Sequence, residues 1–191
     1  MGKARLEAFS DGVIAIIITI MVLELKVPSG SDWASVQPLI PVMPSYVLSF
    51  IYVGIYWNNH HHLLHAARQV NGRVLWANLH VLFWLSLVPF ITHWMGEKYL
   101  AALPVALYGA VLLMTGCAYM LLSRALIACA GADSALGRAV GKDRKGVAAL
   151  ILYAIAIPLA FVSERVALAL YVRVAAVWFV PDRRIENIVT Q

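Results

Sequence analysis

Charged residues are scarce in this chain of 191 residues: 13% are Asp, Glu, Lys or Arg, whereas 62% are hydrophobic. The mean hydropathy is accordingly high, at +0.78. A soluble domain of this length cannot bury so much apolar surface, because soluble chains carry about a quarter of charged residues. The composition therefore excludes an ordinary soluble domain and predicts a polytopic membrane protein that its spans fill almost completely.

Cysteine is almost absent, and the basic charge is not concentrated in one place. The two cysteines, Cys117 and Cys129, lie in or beside an apolar run and carry no signal of a disulfide or a metal site. The net charge of +5 is spread between apolar runs, which is typical of a membrane protein and not of a nucleic-acid-binding surface. The first apolar run lacks the flanks of a cleavable signal peptide, so none is expected.

Six apolar runs are long enough, or nearly so, to cross a membrane, for which a helix needs about 20 residues. They cover residues 10–27, 40–64, 74–95, 101–128, 147–163 and 166–180. No low-complexity segment or Ser/Gly-rich linker divides the chain. The sequence therefore predicts an all-α fold, a single domain over residues 1–191 with six transmembrane helices.

Most Lys and Arg residues fall on one side of these six runs, the side that holds both termini. The other side has Lys26, Lys98 and Arg165, while Arg173 lies inside the last run without an assigned role. Because cytoplasmic loops carry an excess of Lys and Arg, we expect both termini in the cytoplasm and the protein in the cell membrane.

Polar residues cluster at the inner ends of the first three runs. Antiparallel helices bring Ser10 and Asp11, the histidines after Trp57, and Asn78 to the same depth. Buried polar groups must find partners in lipid, where each unsatisfied one costs several kcal/mol. We therefore expect a mutual network, with Asp11 accepting a hydrogen bond from a histidine and with Ser10 and Asn78 completing it.

The histidines also permit other interpretations. His61 and His65 are four residues apart on one helical face, a spacing that suits a metal or haem site. No carboxylate lies beside them and no matching ligand set appears apart from His80. A structural hydrogen-bond network is favoured, and a pH-sensing role stays open; His62 is not assigned.

Three groups of residues resemble signatures of the transmembrane protein 175 family, which comprises lysosomal-type potassium channels and bacterial relatives. They are Arg5-x-x-x-Phe9-Ser10-Asp11 before an Ile-rich helix, Tyr56-Trp57-x-x-His60-His61 with Leu75-Trp76-x-Asn78-Leu79, and the closing Trp178-Phe179-x-Pro181-Asp182. The resemblance implies a potassium-permeable channel with no catalytic residues and no cofactor. Lysosomal relatives hold two six-helix repeats, so a single repeat implies a homotetramer here.

In this family the first helix lines the central pore, with apolar side chains at the constriction and a threonine one turn on. Counted from Asp11, the resemblance assigns these roles to Ile16, Thr19, Ile20 and Leu23. Their spacing alone favours plain core packing, so the pore-lining role comes from the resemblance. A partial lookalike of the Thr-Val-Gly-Tyr-Gly filter, residues 52–56, lacks the flanking threonine and the second glycine, so no such filter is expected.

Glu24 follows the apolar stripe near the predicted outer mouth. A ring of such carboxylates concentrates cations, but pairing with Lys26 or Lys98 explains it equally well. Two other functions are kept as alternatives: a secondary transporter, for which only Pro158 hints at a broken helix, and a metal- or haem-binding protein that uses residues 60–65. Potassium conduction is the function that the sequence favours.

Overall fold

The computed structural model describes residues 2–67, 69–98, 100–131, 134, 136–137 and 143–179. Its helices are α1 Lys3–Leu23, α2 Trp33–Val36, α3 Met43–Ala66, α4 Gly72–Ser86, α5 Val88–Glu97, α6 Ala102–Ala130, α7 Arg144–Leu159 and α8 Glu164–Phe179. A 3-10 turn, Gln37–Leu39, follows α2. The closing motif beyond Phe179 and several basic residues used for orientation lie outside the described residues.

The helices overlap the six predicted runs, but several boundaries differ. The first helix begins at Lys3 and not at residue 10, so Arg5 and Phe9 are already helical, and it ends at Leu23 and not at residue 27. The third run is two helices that meet at Leu87, because Pro89 has no backbone N–H and its ring crowds the preceding turn. Helix α7, which corresponds to the fifth run, ends at Leu159, directly after Pro158, instead of reaching residue 163.

By length and composition, three helical segments of the described chain can cross a membrane: Lys3–Leu23, Gly72–Glu97 and Ala102–Ala130. A fourth is possible if Trp33–Leu39 and Met43–Ala66, which meet at 51°, count as one span. The helices α7 and α8 have 16 residues each. At 1.5 Å per residue each is about 24 Å long, which is shorter than a hydrocarbon core of about 30 Å.

Helix α1 packs by one face only. Its buried residues are Leu6, Ser10, Ile14, Ile17 and Met21, which recur every three or four positions and so form one stripe along the helix. Its neighbours across this stripe are α3, α4 and α5. The opposite face of α1 is left without a neighbour in the described chain.

Helices α3, α6, α7 and α8 each contribute one tyrosine to a ring of four buried tyrosines. The ring centroids of Tyr52, Tyr108, Tyr171 and Tyr153 are 5.7–6.3 Å apart around this ring. The Tyr52 hydroxyl donates to the Tyr171 carbonyl oxygen at 2.6 Å. Since each hydroxyl needs a partner away from water, these bonds fix how α3 and α8 lie against each other.

Candidate functional site

A buried chain of hydrogen bonds joins the inner ends of α1, α3 and α4. The Nε2 atom of His60 lies 2.6 Å from the Asn78 Oδ1 atom, and the Asn78 amide donates to the Ser10 hydroxyl at 2.9 Å. Ser10 in turn donates to the Leu6 carbonyl oxygen at 2.8 Å. All three polar side chains are almost completely buried, so the predicted contact between Ser10 and Asn78 is present.

The predicted donor to Asp11 is wrong. In the structure the indole nitrogen of Trp57 donates to the Asp11 carboxylate at 3.0 Å, while His60 is bound to Asn78. Trp57 precedes His61 by one turn of α3, and their rings stack with centroids 6.0 Å apart. The indole therefore occupies the position beside Asp11 that we expected an imidazole to take.

Two histidines of α3, His61 and His65, stack on each other, whereas His60 is bound to Asn78. The rings of His61 and His65 lie nearly parallel, 6.0 Å apart and tilted by 21°. Both side chains are exposed. Within the described residues, no group of three or more His, Cys, Asp or Glu side chains is arranged to hold a metal ion, so nothing in this geometry favours the metal or haem alternative.

The predicted stripe on α1 is exposed on the subunit surface, where Ile16 and Ile20 border a groove towards α5. Ile16 is 58% exposed, Ile20 is 39% exposed and Leu23 is 79% exposed, and Thr19 is exposed as well. The Thr19 hydroxyl donates back to the Ile16 carbonyl oxygen at 2.9 Å, which leaves its oxygen lone pairs free to face outwards. The stripe is thus available for contact with water, lipid or another chain.

At the other end of α1, the outer-mouth candidate Glu24 lies near a histidine that the sequence did not point to. Its carboxylate is 3.6 Å from the Nδ1 atom of His93 on α5. Lys26, which we considered as a partner of Glu24, instead binds Glu97 at 2.9 Å. The outer end of α1 is therefore held against α5 by two polar contacts.

Three signature residues are not part of the buried network. Arg5 and Phe9 are exposed on α1, and Trp76 is 75% exposed on α4. The sequence alone did not reveal a second buried hydroxyl chain, in which Thr92 donates to Ser49 at 2.6 Å and Ser49 donates to Tyr108 at 3.0 Å. Hydroxyl residues inside apolar runs were the available signal for it.

These features define a multi-pass α-helical membrane protein whose first helix is fastened at both ends and exposed along one face. The family described as endosomal/lysosomal potassium channel TMEM175 matches residues 5–89, the part that contains the inner network. A potassium channel of Chryseobacterium sp. is 54% identical over 98% of this chain and 97% of its own length. The chain belongs to the TMEM175 family.

More distant relatives match about half of this chain or less. A potassium channel of Streptomyces collinus is 38% identical over 50% of this chain and 48% of its own. The human endosomal/lysosomal proton channel TMEM175 is 35% identical over 44% of this chain and 19% of its own.

The fold has a counterpart of known structure. The crystal structure of a lysosomal potassium-selective channel TMEM175 homolog from Chamaesiphon minutus matches with a TM-score of 0.77 at 26% identity. It covers 94% of this chain and 97% of that one. The likeness therefore extends beyond residues 5–89 to nearly the whole chain.

Proposed function

We propose that this chain is the subunit of a potassium-permeable channel of the cell membrane, which conducts cations passively down their gradient. Support comes from the Chryseobacterium relative, a potassium channel that matches 98% of this chain. The pore is central and lined by α1 of each of four subunits. Each subunit is one domain of six transmembrane helices with both termini in the cytoplasm.

The observation that carries this proposal is the two-sided character of α1. Ile14, Ile17 and Met21 are buried against the subunit, whereas Ile16 and Leu23 are more than half exposed. The exposed side of such a helix is apolar, and an apolar surface of this kind marks contact with lipid or with another protein chain. In this case the other chain is a second copy of the subunit. Four copies around an axis place Ile16, Thr19, Ile20 and Leu23 in stacked rings.

Such rings form the constriction for ions. Apolar rings gate by dewetting, and a helix without a carbonyl-lined filter selects among ions through its side chains and the water around them. The filter lookalike at residues 52–56 lies within the continuous helix α3, so its carbonyls are used inside the helix. Thr19 is then the polar side chain best placed in the stripe to distinguish potassium from sodium.

Six spans and the cytoplasmic termini belong to the same proposal. The structural likeness to the Chamaesiphon minutus protein over 94% of the chain supports treating α7 and α8 as spans, although each is short. A short hydrophobic helix is accommodated by local thinning of the bilayer or by contacts in an oligomer.

The test is ion flux through purified protein in liposomes after replacing Ile16 by asparagine. A polar ring at the narrowest point wets more easily, so we expect a higher potassium flux or a smaller preference for potassium over sodium. Ile151→Asn on α7 is the matched control, since Ile151 is 54% exposed, close to Ile16, but lies on another helix. A proton-sensitive dye inside the liposomes reports whether protons pass as well.

Three results would contradict the proposal. Equal potassium flux and equal selectivity in wild-type protein and Ile16→Asn would remove α1 from the pore. An equal change in Ile151→Asn would show that any polar residue on the subunit surface disturbs the channel. Uphill flux driven by a second gradient would instead identify a secondary transporter.

A further inference from the structure

Two stripes of side chains face each other where the inner ends of α1 and α3 meet. The indole nitrogen of Trp57 donates to the Asp11 carboxylate at 3.0 Å, and the Lys3 Nζ atom donates to the His65 carbonyl oxygen at 2.7 Å. Side chains four residues apart share one face of a helix. The stripe on α1 is therefore Lys3, Glu7 and Asp11, and the stripe on α3 is Trp57, His61 and His65.

These two contacts fix which residues of the stripes lie level with each other. Each helix advances by eight residues from one contact to the other, which is about 12 Å at 1.5 Å per residue. Because the helices run antiparallel with equal spacing, the middle residue of one stripe lies opposite the middle residue of the other. Glu7 on α1 and His61 on α3 are these two residues.

Glu7 has an unused acceptor at this level. Its Oε1 atom is buried and accepts no hydrogen bond within the described residues. The Lys3 Nζ atom is 3.7 Å from this oxygen, which is too long for a hydrogen bond, and it donates to the His65 carbonyl oxygen instead. A buried acceptor without a donor costs free energy, so a donor level with Glu7 would stabilise this part of the fold.

His61 becomes such a donor when it takes up a proton. Within the described residues its interactions are ring contacts with Trp57, His62 and His65, so neither ring nitrogen is committed to a hydrogen bond. A neutral imidazole has one N–H and one acceptor nitrogen, whereas a protonated one has two N–H donors and a positive charge. Protonation therefore supplies both the donor and the charge that Glu7 lacks.

Charges on α1 and α3 decide whether a proton is favoured there. From α1, the two carboxylates of Glu7 and Asp11 face the stripe on α3 together with the single positive charge of Lys3. The titratable neighbours on α3 itself are His60, His62 and His65. Two charged imidazoles side by side repel each other, so we expect this group to hold one proton.

Ionisable side chains of the other helices around α3 have different surroundings. On α5, His93 and Glu97 contact Glu24 and Lys26 at the outer end. On α8, Arg173 is exposed. Further ionisable residues of the neighbouring helices are Arg73 on α4 and Arg124 on α6, which are exposed, and Tyr171 on α8, which belongs to the tyrosine ring. The carboxylates of α1 are thus the anions that face His61.

We propose that His61 is a proton-binding site, and that protonated His61 binds Glu7 and fastens the inner end of α1 to α3 more firmly in acid than at neutral pH. The site lies outside the pore stripe. Its effect on conduction rests on the proposed function, in which α1 lines the pore. A firmer contact with α3 opposes any movement of α1 that widens the pore, so potassium flux falls in acid.

The first experiment measures unfolding of the purified full chain in mixed micelles, which does not depend on conduction. The two conditions are about pH 7.5 and about pH 5.5, near the ends of the range in which histidine titrates. A proton that is bound only in the folded protein stabilises the fold as the pH falls. We expect the unfolding equilibrium constant of wild type to fall about threefold more than that of Glu7→Gln or His61→Gln, as a partly exposed ion pair permits.

His65→Gln is the matched control. His65 is exposed and stacked like His61, but it lies level with Lys3 and not with Glu7. We expect this variant to keep the wild-type response to pH. The double variant of Glu7→Gln and His61→Gln should respond like either single variant, because the two residues act as one pair.

Three outcomes would overturn the proposal. The first is an equal pH response in wild type, Glu7→Gln and His61→Gln, and the second is a loss in His65→Gln as large as that in His61→Gln. The third is a loss in His62→Gln alone, which would place the proton on His62, whose buried Nδ1 atom also has no hydrogen-bond partner in the described chain. Circular dichroism of each variant confirms that the helices are intact.

Potassium flux in liposomes at the same two pH values is the second measurement. We expect acid to lower the flux of wild type and of His65→Gln more than that of Glu7→Gln. If unfolding responds to pH as expected while flux does not, the proton site stands, and the pore role of α1 in the proposed function is contradicted.

Discussion

Replacing Asn78 by leucine tests whether the inner network holds α1 on the subunit. Asn78 is completely buried on α4, and it contacts His60 on α3 at 2.6 Å and Ser10 on α1 at 2.9 Å. Leucine has nearly the same size but neither a donor nor an acceptor. The substitution therefore removes both contacts with little change in packing volume.

The expected loss of unfolding free energy depends on which hydrogen bonds Ser10 and His60 retain in the Asn78→Leu variant. Ser10 still donates to the Leu6 carbonyl oxygen, so its loss is partial. His60 loses the partner of Nε2, and its buried Nδ1 atom has no hydrogen-bond partner in the described part of the chain. An orphaned buried polar group costs about 1–3 kcal/mol, whereas an average interhelical hydrogen bond in a membrane contributes about 0.6 kcal/mol. We expect the variant to lose about 1–3 kcal/mol of unfolding free energy, mostly through His60.

The measurement is reversible unfolding in mixed micelles, for Asn78→Leu, His60→Leu and the double variant. Removing both partners leaves no orphan between these two helices, so the double variant should be more stable than the sum of the single losses predicts. Asn58→Leu, at a partly exposed position of α3, controls for a general effect of leucine. Wild-type stability in Asn78→Leu, or strictly additive losses in the double variant, would refute the reasoning.

Two further substitutions probe the packing and the outer mouth. Gly109→Ala should lower the free energy of unfolding by about 1–3 kcal/mol in the same assay, because a Cβ at this position meets the Tyr171 hydroxyl. Gly54→Ala is the control: a Cβ there has open space, so this variant should be neutral or stabilising. Equal effects of the two substitutions would contradict close packing at Gly109. Glu24→Gln should lower potassium flux more in 0.1 M salt than in 1 M salt, because the Debye length falls from about 10 Å to about 3 Å between these concentrations. Glu164→Gln is the control and should not lower the flux in this way. A loss of flux that does not depend on salt would argue that Glu24 does not concentrate cations at the outer mouth.

The depth of the inner network was predictable, but its pairing was not. Polar residues at the inner ends of three antiparallel helices have to meet, because lipid offers them no partner. Which side chain reaches Asp11 depends on the rotation of α3 about its own axis. Trp57 and His61 lie on one face, a turn apart, and the sequence does not say which of them is level with Asp11.

The partners of charged residues at the outer end of α1 could not be predicted either. The sequence placed Glu24 and Lys26 at this end but did not identify their partners, because several charged side chains reach the same membrane interface. The structure brings Glu24 to His93 and Lys26 to Glu97, and both partners lie on α5 beyond the break at Leu87.

The polar ends of α1 explain how its exposed stripe is specified. Ile16, Ile17 and Ile18 are consecutive and nearly interchangeable in apolar packing, which is not directional. A slide by one residue rotates the side chains by about 100° and would turn Ile17 outwards in place of Ile16. The hydrogen bonds of Ser10 and Asp11 are directional and are lost in such a slide, so they select the face that α1 exposes. A perturbation of the inner network is therefore expected to alter ion flux even though none of its residues lies in the stripe.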